Sequence, residues 1–166
     1  EEANEALSKG TSGVTITSTT DLTAPSTLEI PNAFGHGTST SVEIEQPVST
    51  DLTISEKTTS DKELPETLSV EMETTASLIV DTPNLTVSLE GSYTAVEATT
   101  AENTLIVAKN TVIETLTVKK GNVKIYGTVG EIVNEGTGKI IRCIDAQDEV
   151  ERTLADTRCD HILIEK

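Results

Sequence analysis

Aromatic residues are almost missing from this chain. Phe34, Tyr93 and Tyr126 are the only three in 166 residues, and there is no Trp. That argues against a thick sandwich organised around large rings, and it leaves few of the exposed rings on which sugars commonly stack. Arginine is scarce as well, confined to Arg142, Arg152 and Arg158. No run of about 18 apolar residues exists, so no helix of this segment inserts into a membrane. No secretory signal is visible: the opening EEANEALSKG is acidic and helix-like, and it is equally compatible with a signal removed upstream. The two cysteines, Cys143 and Cys159, leave a single disulfide and a pair of reduced core thiols both open, and they do not define a compartment.

What the chain has instead is threonine, 29 residues of it. With Val and Ile it favours strands, because branching at Cβ suits a pleated surface. The core must then come from Leu, Ile and Val of modest size, which suits a narrow core fed by many short strands. Net charge is −16, unevenly spread. Up to Ala108 there are 18 acidic residues against Lys9, Lys57 and Lys62; from Lys109 onward there are 10 acidic and 9 basic residues. Such a surface repels nucleic acid and anionic membranes and keeps a protein dispersed.

The strands announce themselves as a ladder. Val14-Thr15-Ile16, Leu28-Glu29-Ile30 and Val42-Glu43-Ile44 recur every 14 residues. Leu68-Ser69-Val70, Leu85-Thr86-Val87, Leu105-Ile106-Val107, Val123-Lys124-Ile125 and Ile140 continue at intervals of 17, 20, 18 and 17. A second column runs between them through Leu78, Val96, Leu116 and Ile132, at intervals of 18, 20 and 16. Asn84, Asn103 and Asn122, each 19 apart, precede first-column strands and read as a structural turn ladder. Two interleaved columns of nearly equal period match a parallel β-helix, in which each coil stacks on the one before it. Alternation then turns Leu85 and Val87 inward and Thr86 outward.

Such a stack needs lids over its end strands. EEANEALSKG places Ala3, Ala6 and Leu7 on one helical face, and AQDEVERTLADTRC does the same with Ala146, Val150 and Leu154. The two ends also resemble each other. Ala3 and Leu7 align with Val150 and Leu154 at an offset of 147; Val14 and Ile16 align with Ile162 and Ile164 at 148. The organisation expected is a capping helix at 1–12, a β-helix over 13–142, and a helix and strand at 143–166. That last segment either caps the stack or begins a second module.

The stretch EALSKGTSGVTITSTTDLTAPSTLEIPNA, with its short helix, first strand and strand ending in Ile30-Pro31, resembles the opening of right-handed β-helix domains. These are the pectate-lyase-like domains of bacterial secreted and cell-surface proteins, particularly the adhesin-like ones of gut anaerobes. The ladder from Leu68 to Ile141 is similar in style. The resemblance implies export to the cell surface or beyond. It covers a superfamily that holds polysaccharide lyases and hydrolases as well as adhesins and non-catalytic modules.

Chemistry is harder to find. No pair of carboxylates flanked by Arg and aromatic platforms stands out, and glycosidases normally need a paired acid and base at one site. Glu43 and Glu45 alternate along one strand, as do Glu71 and Glu73, so each pair faces one side. They are candidate surface-binding residues, although no D-x-D-x-D-G loop accompanies them and no metal or cofactor is expected. The Asp145-Asp148-Glu149 group reads as charge at a helix start. His36, between glycines, and His161 each lack partners for a catalytic triad. Lys109, Lys119, Lys120, Lys124, Lys139 and Arg142 make the late coils basic, with Lys120 and Lys124 the candidate contacts for an anionic glycan. Edge protection explains the same lysines. Thr15–Thr17, Thr38–Thr40 and Thr115–Thr117 do not share one spacing, which excludes a flat threonine array.

The fold expected is all-β: a single-stranded right-handed parallel β-helix, a β-solenoid of about seven or eight coils with short terminal helices. An Ig-like sandwich is the alternative. The function expected is that of a non-catalytic, secreted or cell-surface module, an adhesion scaffold or rigid spacer rather than an enzyme. Its partners would be polysaccharide or a host or cell-surface protein. A polysaccharide-binding or polysaccharide-degrading module is the alternative.

Overall fold

Short stretches in which Val, Leu or Ile alternate with Thr, Ser or Glu cannot bury their apolar side alone; they do so here by stacking. A computed structural model describes residues 5, 13–17, 24–31, 39–57, 67–99, 104–136, 140–143 and 161–164. Among them the elements are all strands: β1 (Val14–Ile16), β2 (Ser26–Pro31), β3 (Ser39–Ile44), β4 (Leu52–Lys57), β5 (Thr67–Asp81), β6 (Thr86–Ala98), β7 (Thr104–Val107), β8 (Val112–Val118), β9 (Asn122–Ile125), β10 (Thr128–Asn134), β11 (Ile140–Cys143) and β12 (His161–Ile164). They form one twelve-stranded sheet. The helices expected within 1–12 and 143–166 lie outside the described residues, which include only Glu5, Cys143 and β12 of those two segments.

The sheet has two parallel columns. The first runs through β1, β3, the start of β5, the start of β6, β7, β9 and β11. The second runs through β2, β4, the ends of β5 and β6, β8 and β10. β12 closes the first column by pairing antiparallel with β11. This is the sole antiparallel pairing among the described strands, whereas an Ig-like sandwich would need it throughout.

β5 and β6 are long because each crosses from one column to the other. Their pairing shifts between Thr74 and Ser77. Gly91 lies opposite Met72 with φ 111°, and a Cβ there would collide with the Met72 carbonyl oxygen. Only glycine combines that left-handed backbone with so close an approach.

The parallel register turns alternating patterns into continuous inner stacks. Leu68, Val87, Leu105, Val123 and Ile140 lie over one another in the first column. Leu52, Leu78, Val96, Leu116 and Ile132 do so in the second. All of these are buried except Ile132, which packs partly exposed against the same core. A fully buried aliphatic side chain contributes about 1.5–3 kcal/mol, so every level depends on the levels above and below to cover it. Between the columns Tyr93 sits opposite Thr74 and Ile113, 1% exposed. Its hydroxyl donates to the Glu90 carbonyl at 2.8 Å.

Threonine does more here than favour strands. Thr94, Thr99 and Thr111 donate their hydroxyls to the carbonyls of Thr74 (3.1 Å), Val80 (3.0 Å) and Leu89 (2.6 Å), each one level earlier. All three stand at a break or an end of a strand; the Val80 and Leu89 carbonyls also accept backbone amides there, from Thr99 at 2.9 Å and Ala108 at 3.0 Å, so the hydroxyl occupies a second acceptor position. Carboxylates serve other corners. Asp51 accepts from the Ser77 amide at 3.0 Å, and Glu56 accepts from the Asn84 amide and from its side-chain nitrogen.

Several expectations about the ladder need correction. Leu28 belongs to the second column, not between Val14 and Val42. The true partner of Val14 is Val42, so the interval of 14 is half of the 28-residue offset. The aligned partner of Leu68 is Val87 rather than Leu85, which lies two residues earlier as a buried corner residue. β4 extends the second column backwards through Leu52-Thr53-Ile54, a strand the interval series passes over.

Candidate functional site

The outward positions of the first column carry the residues singled out by sequence. β3 and β5 pair so that Glu43 lies beside Glu71, and β5 and β6 pair so that Glu71 lies beside Glu90. All three are exposed. They form a row of carboxylates on adjacent parallel strands, whose spacing is about 4.8 Å. Glu73 stands two positions beyond Glu71 on the same face, beside Ser92. Glu45 follows the end of β3 and donates its amide to the Ile16 carbonyl at 2.9 Å. The alternation of Glu43 with Glu45 and of Glu71 with Glu73 therefore turns each pair outward, as the sequence pattern requires.

Glu90 is not legible from the interval series as part of this row. Aligning Leu85 with Leu68 sets Thr86 beside Ser69, whereas the chain sets Ser88 there, and Glu90 moves into line only when the register advances by two. The signal that finds it is the 19-residue step from Glu71. Beneath the row lies the phenol of Tyr93, whose pKa is pushed up chiefly by burial, then by the charges of Glu90 and Glu71. A buried neutral phenol close to anionic carboxylates resists ionisation for both reasons.

The basic candidates sit elsewhere. Lys124 occupies the same outward column beside Ile106 and Ile141, three strands beyond β5, or about 14 Å along the stack. It is half-buried, and Lys120 is exposed at the corner after β8. Neighbouring Lys119 pairs with Glu97 one level earlier at 3.0 Å, and this hydrogen bond and charge raise its pKa. Lys57 pairs in the same cross-level manner with Glu29 at 3.4 Å. Part of the late basic character thus tacks one level to the next.

The turn ladder of asparagines is not a stack in register. Asn122 lies beside Thr104. The Val87–Leu105 pairing brings Thr104 in turn beside Thr86, so Asn84 falls two residues short. Asn84 does stand in a turn, closed by the Leu85 amide donating to the Thr82 carbonyl at 3.3 Å. No described residue other than glycine has a positive φ, so the corner at Asn84 does not use a left-handed backbone. Asn103, His36, Lys139 and Cys159 lie outside the described residues, while Cys143 ends β11 and His161 opens β12.

The Glu43–Glu71–Glu90 row repeats one chemical group in one setting. An acid and a base are told apart by environments that differ, and equivalent exposed positions on a strand face supply no such difference. Among the described residues no group of three or more His, Cys, Asp and Glu is arranged to hold a metal ion. What the row offers is an extended anionic strip beside a column of Ser41, Ser69 and Ser88. Compared with known proteins, the chain matches no family model, no curated protein and no solved structure.

Proposed function

We propose that this chain is a right-handed parallel β-helix of about seven or eight coils that works as a non-catalytic, exported module, an adhesion scaffold or rigid spacer. One observation carries the reading: the inside of the stack is constant while the outside is not. The inner line Leu68, Val87, Leu105, Val123, Ile140 is aliphatic at every level. The adjacent line on the opposite face keeps serine over three levels, Ser41, Ser69 and Ser88, and then changes to Ile106 and Lys124, just as the row Glu43, Glu71, Glu90 is not continued into β7. A sequence of this kind specifies continuity of a rod. Seven stacked levels of the first column span about 29 Å, enough to hold a neighbouring domain away from a surface.

The test is incubation with a panel of neutral and acidic polysaccharides, with and without Ca²⁺, reading retention and newly formed chain ends together. Neither retention nor cleavage is expected. New chain ends would overturn the reading and direct attention to Glu43, Glu71 and Lys124. Retention without cleavage would make the chain a glycan-binding module, with the carboxylate row and Lys120 as the first contacts to replace.

A further inference from the structure

We draw no further inference here: the strongest candidate, the outward face of β6 and β7 where Ile106 beside Ser88 is buried (3% exposed) yet stands outside the aliphatic core cluster, carries nothing because no described residue shows what covers it.

Discussion

Between Val14 and Val70, successive strands of a column lie 26 or 28 residues apart, whereas from Leu68 to Ile140 they lie 16 to 20 apart. The early part spends six to eleven more residues per level of the same column and is far more acidic, yet both parts keep the same parallel register and the same aliphatic interior. Leu52 and Ile54 in the early part are buried as fully as Leu116 and Val118 in the late part. Alternation along each strand decides the pairing, and connection length does not. Extra residues in a connection cost little, since closure entropy grows only logarithmically with length. The late levels, by contrast, bend tightly, and they rely on Gly91 and on threonine hydroxyls that reach back one level.

Substitutions can separate the interior of the stack from its end. Leu89→Ala, in the middle, should cost about 2–5 kcal/mol in denaturant unfolding, because Leu89 is wholly buried between levels. Val14→Ala, at the half-covered end, should cost less than about 1.5 kcal/mol by the same measurement. Equal losses would mean that β1 is covered in solution.

The tight bend of the late levels should be nearly as sensitive. Gly91→Ala puts a Cβ against the Met72 carbonyl on a left-handed backbone, and should lower stability by about 2–3 kcal/mol. Calorimetry on this variant checks whether the crossing between columns is a fixed corner or a loose one.

Alkaline titration probes the buried phenol that lies between the columns. The folded pKa of Tyr93 is raised, so the native state holds its proton more tightly than the unfolded chain does. Stability is therefore unaffected below the ordinary tyrosine pKa near 10 and falls above it, by about 1.4 kcal/mol per pH unit. Lys119, whose folded pKa is also raised, loses its contribution in the same direction. In a Tyr126→Phe background, tyrosinate absorbance should rise only together with loss of the strand spectrum. Titration of Tyr93 near pH 10 in a folded chain would contradict its burial.

The smallest effect should be a gain. Glu71 stands between Glu43 and Glu90, and like charges directly opposite on neighbouring strands repel by a few tenths to about 1 kcal/mol. Glu71→Gln should raise the thermal midpoint slightly at low salt, and the gain should shrink as salt screens the row.

Much of this architecture is legible in the spacing of aliphatic residues. The second column from Leu78 through Val96 and Leu116 to Ile132 follows from spacing residue for residue. The first column emerges as strands but misaligned at β6. Leu85, Val87 and Leu89 are all buried aliphatics two apart, so a slip of two residues leaves every side chain on its correct face. The early levels are harder for another reason. Val14-Thr15-Ile16 and Leu28-Glu29-Ile30 have the same form although they lie in different columns, and nothing local tells them apart. Within the candidate site, alternation alone marks Glu43 and Glu71, whereas Glu90 joins them only through the register that spacing leaves two residues off.

Amino-acid order is enough to specify that the chain forms short strands, which residues face inward, and that the levels from Leu68 onward repeat every 16 to 20 residues. Side-chain alternation is a local property, and each strand displays it without reference to its neighbours. Which strand lies beside which is a property of the assembled stack alone. Stacking also brings three glutamates 28 and 19 residues apart into one row, and it turns threonine hydroxyls and the Asp51 and Glu56 carboxylates to the corners of adjacent levels. Those relations depend on how far each connection carries the chain before it re-enters the stack, and strands of the same pattern satisfy the core equally well in several positions.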